Sequence, residues 1–280
     1  MTPTAPLSPG LYVAATPIGN LQDVSDRLKH ALSVADLILC EDTRVTAKLL
    51  TALGLSSGPM RRYDDHRGAS VRPAVLEALS AGQAVLLVSD AGTPLIADPG
   101  YKLVAAARAD GHKVITIPGP CAAIAALSIS GLPTDRFTFQ GFLPPKSGAR
   151  RARLSSLLGR DETLVFYETG PRLGACLEDI ASTLNDPMVA IGRELTKLYE
   201  EVVEGPASML AARYAQNAPK GEIVLIIGPQ APEIVTLEDA DPMMEKALLS
   251  LSLKDAAAQV ARTTGIKKRD LYQRWRNRTP

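Results

Sequence analysis

The apolar run Ala84–Val88, with the turn Ser89-Asp90-Ala91-Gly92-Thr93-Pro94 that ends it, constrains the fold more than any other feature of this chain. Five successive aliphatic residues without alternation suit a strand buried on both faces, the habit of parallel sheets. Gly92 permits backbone angles closed to other residues, and Pro94 narrows the loop's freedom. Alone, the segment also reads as an ordinary strand-to-helix turn. Two others repeat the pattern: residues 11–15 run into Thr16-Pro17-Ile18-Gly19-Asn20, and Val114–Ile117 into Pro118-Gly119-Pro120-Cys121-Ala122-Ala123. Loops at the carboxyl ends of parallel strands share one edge of a sheet, so the three predict a single site.

Around these loops the periodicity alternates. Ser25 is placed to cap a helix carrying Leu28, Leu32 and Ala35 on one face, followed by a strand at Leu37–Cys40 and helices at 45–53, 73–81 and Tyr101–Ala109. The pattern predicts an α/β domain with a mostly parallel sheet over residues 1–132. Residues 56–70, polar and rich in Gly, Arg and Asp, read as a long substrate loop. Pro133, Pro144 and Pro145 interrupt the chain where it passes into a second α/β domain, 133–230. There, strands are expected at 163–167, 189–193, 198–204 and 223–227, with helices at 173–184 and 207–215. Two consecutive strands about Thr196-Lys197 imply a mixed sheet. Residues 231–280 read as a linker and a basic helix-turn-helix-like tail: Ser252 and Asp255 offer a cap, Ala256, Ala257, Val260 and Ala261 a stripe, and Gly265 a break before Leu271, Tyr272 and Trp275.

Composition narrows the class. At 280 residues, 46% of them hydrophobic, the chain can bury substantial cores. No long apolar span and no basic-then-apolar leader stand out, so a cytoplasmic protein without membrane attachment is expected. Three scattered cysteines and three scattered histidines suggest neither a metal site nor a disulfide scaffold. Residues 251–280 carry +6 and the rest −5, so a near-neutral chain ends in a basic module.

Six segments in order carry a resemblance: Thr16 to Asn20, Glu41-Asp42-Thr43-Arg44, Ser89 to Pro94, Pro118 to Ala123, Phe166-Tyr167-Glu168, and Arg193-Glu194-Leu195-Thr196-Lys197. Together they resemble the tetrapyrrole-methylase superfamily of S-adenosylmethionine (SAM) enzymes, and within it the branch that methylates a cytidine ribose of 16S ribosomal RNA. The resemblance implies two α/β domains with a SAM cleft between them, usually in a homodimer. It assigns cofactor contact to Pro17, Asp90, Ala91, Gly92, Thr93, Ile96, Cys121, Ala122 and Tyr167. The chain departs from the family pattern at Thr169-Gly170-Pro171-Arg172 and at Tyr63-Asp64-Asp65-His66-Arg67.

A ribose 2′-hydroxyl needs a proton acceptor, and Glu41, Asp42 and Glu168 are the carboxylates of the matching motifs. Each also has a structural reading, as a helix cap or an ion-pair partner. RNA contact is expected from Arg44 and Lys197, from the run Lys146, Arg150, Arg151 and Arg153, and from Lys267, Lys268 and Arg269 with Arg274, Arg276 and Arg278. His66 reads as an exposed loop residue. Two rival readings stay open: a methyltransferase acting on a tetrapyrrole precursor, and a non-catalytic nucleic-acid-binding protein. The absence of G-x-G-x-x-G after the first strand argues against the usual dinucleotide fold.

Overall fold

The computed structural model describes residues 5–56, 58–64, 67–230 and 236–276. Asp65, His66 and Arg278 lie outside the described residues. Strands β1 (Gly10–Ala14), β2 (Leu37–Cys40), β3 (Met60–Arg62), β4 (Ala84–Val88) and β5 (Val114–Ile117) form one sheet in the order β3-β2-β4-β1-β5, every pair parallel. All five residues of β4 are buried because the sheet is covered on both sides. Leu86 and Val88 join Leu28 of α1 (Asp26–Val34) and Leu50 of α2 (Thr43–Ala52). Val85 and Leu87 join Val75 of α3 (Gly68–Ser80) and Leu103 of α4 (Tyr101–Ala109). Strands β4, β1 and β5 are neighbours, so the three loops expected to converge emerge side by side.

The predicted loop at 56–70 is partly ordered structure. β3 pairs with β2, Tyr63 is buried, and α3 begins at Gly68 rather than at Pro73. A three-residue edge strand is too short to leave a periodic signal.

Helix α5 (Ala122–Ser128) carries the third loop into a second sheet. Its strands β6 (Phe137–Phe142), β7 (Thr163–Thr169), β8 (Met188–Arg193), β9 (Glu201–Pro206) and β10 (Glu222–Ile227) run in the order β6-β7-β10-β8-β9. Only β6 with β7 is parallel, so the sheet is mixed as expected. Leu164, Phe166, Ile223 and Leu225 face α6 (Ser147–Ser155), α7 (Gly170–Thr183) and α8 (Ala207–Tyr214). Val165, Val224 and Ile226 face α5. Strand β6 and helix α6 escaped the sequence reading, and β9 starts at Glu201 rather than 198, leaving Leu198 and Tyr199 exposed in the turn before it.

The chain divides into two compact units. Met1–Leu158 with Glu162–Pro229 form one, and Gly159–Asp161 with Gln230–Pro280 the other. Among the described residues the second contains three helices, not two: α9 (Asp241–Leu248), α10 (Leu253–Thr264) and α11 (Lys268–Arg276). Helix α9 falls at the end of the segment read as linker, where Pro242 occupies a first-turn position that tolerates proline. Met244, Ala256, Ala257, Val260 and Leu271 make its core. As expected, Ser252 accepts the Asp255 N–H at the start of α10, and Gly265, at φ +73°, ends it. Among the described residues no helix is long and apolar enough to cross a membrane, and no group of three metal-binding side chains occurs.

Candidate functional site

A cavity of about 460 Å³ opens where the loops after β4 and β5 meet the second sheet. Of the residues to which the resemblance assigns cofactor contact, Asp90, Ala91, Gly92, Thr93, Ile96, Ala122 and Tyr167 line it. Pro17 and Cys121 stand one residue back, behind Ile18 and Ala122. Gly92 does something the sequence did not foretell. At φ +81° its N–H donates to the Thr16 carbonyl (3.1 Å) and its carbonyl accepts the Thr16 N–H (2.9 Å), so both its backbone groups are spent on joining two loops. The Thr16 hydroxyl donates to the Ser89 carbonyl (3.2 Å), and that of Thr93 to the Pro120 carbonyl (2.9 Å). From the first loop to the turn before β9, the Asn20 N–H donates to the Thr196 hydroxyl at 3.1 Å. Leu95, Ala97, Glu194 and Thr196 all hold left-handed backbone angles, a strain that non-glycine residues sustain only where the surroundings fix it.

The electrostatics are acidic. Glu41, Asp90, Asp98, Glu194 and Glu222 line the cavity, against Lys197, whose Nζ pairs with Glu194 at 3.0 Å. Burial pushes the Asp98 carboxyl up to about 6, aided by the nearby charges of Glu41, Asp90 and Glu222 and opposed by the Ser89 hydroxyl. Burial likewise raises Asp90, although the Asp42 N–H donates to it at 3.1 Å. Such a lining favours a cationic ligand and suits a proton acceptor. Asp98, Glu194 and Glu222 were missed as site residues; Asp98 shares the Asp90 loop, which was its signal.

Of the three motif carboxylates, Glu41 lines the cavity. Asp42 caps α2 by accepting the Arg44 N–H at 2.8 Å, and its bonds to the Arg44 guanidinium hold it far below the usual carboxylate range. Glu168 borders the cavity through its place in β7, but its carboxylate is buried on the opposite face, 3.1 Å from Arg172 Nε and beside Cys176, whose thiol burial and that charge push up to about 12. It is a poor candidate for touching a substrate.

The basic residues divide sharply. Arg150, expected to bind RNA, is 3% exposed; it pairs with Asp179 at 2.7 Å and donates to the Pro145 and Ala175 carbonyls. Arg151 also pairs with Asp179 but stays largely exposed, as does Lys146. Arg44 is exposed beside Asp42. In the tail, Lys267, Lys268 and Arg269 are exposed, whereas Arg274 is held by Asp241, which also accepts from Trp275 Nε1 at 3.0 Å.

Comparison with known proteins gives matches across the chain. The family described as Tetrapyrrole (Corrin/Porphyrin) Methylases matches residues 10–211, and the RsmI C-terminal HTH domain matches residues 235–275. A protein of Erythrobacter litoralis named Ribosomal RNA small subunit methyltransferase I is 51% identical over 269 residues, covering 96% of this chain and 95% of its own. Among solved structures, the methyltransferase CobJ aligns with a TM-score of 0.59 at 18% identity, over 79% of this chain and 95% of its own. Uroporphyrin-III C-methyl transferase from Thermus thermophilus, complexed with S-adenyl homocysteine, aligns at 0.54 and 19%, over 78% and 97%.

Proposed function

This chain belongs to the tetrapyrrole (corrin/porphyrin) methylase family, and on that premise we infer that it transfers the methyl group of SAM to a cytidine 2′-hydroxyl of 16S ribosomal RNA. The observation that carries the choice of RNA is the end-to-end likeness to small-subunit rRNA methyltransferases, which extends through the C-terminal helical domain. The solved tetrapyrrole enzyme leaves about a fifth of the chain unmatched.

The residues of the cavity fit the cofactor. Its volume suits a small ligand, Ile18, Ile96 and Ala122 offer apolar walls, and the acidic rim suits a net-cationic molecule. A Cβ at Gly92 would stand 3.1 Å from Ile18, so the loop is built without room for a side chain there. When bound, the cofactor supplies an electrophilic methyl on a positively charged sulfur. Asp90, Thr93 and the amides around them hold it, and the loop stitching fixes its orientation. Glu41 and Asp98 are our candidates to take the hydroxyl proton, both lining the cavity, with the basicity of Asp98 raised by burial. Exposed Lys146, Arg151 and the Lys267–Arg269 cluster hold phosphates of the RNA. The finer reading is of a cytoplasmic homodimer that finds its target within the small subunit.

Labelled-methyl transfer from SAM to unmethylated 16S RNA, naked and in subunits, followed by nucleoside mass spectrometry, tests the assignment. The expected product is 2′-O-methylcytidine. A base-methylated nucleoside, or methylation of tetrapyrrole precursors alone, overturns it.

A further inference from the structure

We propose that Phe142 is the platform on which the base of the methylated nucleotide stacks, an inference that rests on the RNA ribose reading above. Phe142 lies in the cavity lining yet keeps 52% of its surface exposed, an unfavourable place for a phenyl ring without a partner. Its position is built by an irregularity in β6. Phe139 pairs with Val165, but Phe142 pairs with Tyr167, so three steps on β6 match two on β7. In regular pairing Phe142 would lie beside Glu168 and point to the α7 face. One extra residue, accommodated by Gly141 at φ +68°, turns Phe142 to the cavity and delivers Leu143 to the buried core on the other side.

Neighbouring contacts hold the ring there. Phe142 meets Tyr167 edge-on at 5.8 Å, and Tyr167 meets Phe139 at 4.9 Å. Arg153 donates to the Gln140 side chain inside the bulge at 2.5 Å, tying it to α6. In the chain after Phe142 come exposed Lys146 and Arg151, of which Arg151 is already paired with Asp179, so the platform itself rests on the ring and its bulge. A 2′-hydroxyl can approach a methyl donor in a cavity only if its nucleotide leaves the stack, and an aromatic ring compensates the lost stacking.

The test compares wild type with Phe142→Ala, Phe142→Leu and Phe142→Trp, each checked for fold by circular dichroism, for SAM affinity by calorimetry and for RNA by steady-state kinetics. Ala and Leu should raise the KM for RNA about tenfold or more with SAM affinity unchanged, and Trp should restore it. Leu keeps the apolar cover, so its loss isolates the aromatic face. RNA with an abasic acceptor nucleotide should bind wild type and Phe142→Leu equally. An unchanged KM in both Ala and Leu variants, or a SAM affinity that falls as far as RNA affinity, overturns the platform. If wild type methylates no 16S RNA, the function reading fails instead.

Discussion

At the scale of single residues, two groups carry separable consequences. Gly92 combines a left-handed φ with a neighbour 3.1 Å from where a Cβ would stand, so Gly92→Val must shift either the Thr16 bridge or Ile18. We expect SAM affinity to fall more than tenfold by calorimetry in a protein that still melts cooperatively; unchanged affinity would place the cofactor elsewhere. Asp98 concerns pH. Its carboxyl is raised from 3.8 to about 6, so between those values the folded chain keeps a proton that the unfolded chain has lost. Stability therefore falls as pH rises through that window and stays at the lower level above it. Asp98→Asn removes the cost of burying the charge. After discounting for the group's partial exposure, it should gain about 1 kcal/mol at pH 7.5 and nothing at about pH 3 in urea melts. Equal gains at both pH values would mean that ionisation of Asp98 is not what burial opposes.

At the scale of elements, helices α6 and α7 are joined by Asp179 with Arg150 and Arg151. Arg150→Ala should cost about 3 kcal/mol in chemical denaturation, because a buried carboxylate loses its buried cation, whereas the exposed Arg151, at the same 2.7 Å, should cost under about 1 kcal/mol when replaced by Ala. RNA affinity should follow the opposite order. The sequence could not make this distinction, since both arginines lie in one basic run and only the helical turn decides which faces inward. Strand β6 was illegible for a related reason. Its bulge breaks the alternation that reveals a strand, and its edge position leaves Phe137 and Phe142 exposed. By contrast β4, buried throughout, announced itself as an uninterrupted apolar run, and Ser25 and Gly265 marked helix ends through local chemistry alone.

At the scale of the whole molecule, the tail carries +6 while the cavity of the other unit is lined by carboxylates. A chain ending at residue 235 should keep SAM affinity while losing RNA affinity, and its plot of log affinity against log salt should be shallower by about 2 to 3, as expected if Lys267, Lys268 and Arg269 each meet a phosphate. An unchanged slope would remove the tail from RNA binding. The loops of the first sheet that line the cavity were readable because strand ends and small-residue loops leave local signatures. The part contributed by the second sheet was not: Glu222 and Phe142 gain meaning only when two sheets face one cavity, and no local pattern records that arrangement.

The reciprocal bonds between Thr16 and Gly92 bear on timing. Loops tied to each other, and through them to adjacent strands, form the cavity floor before any ligand arrives, so cofactor capture waits for no ordering step in that floor. Entry is then expected to be a single encounter whose rate rises in proportion to cofactor concentration, with no slow phase arising from this floor.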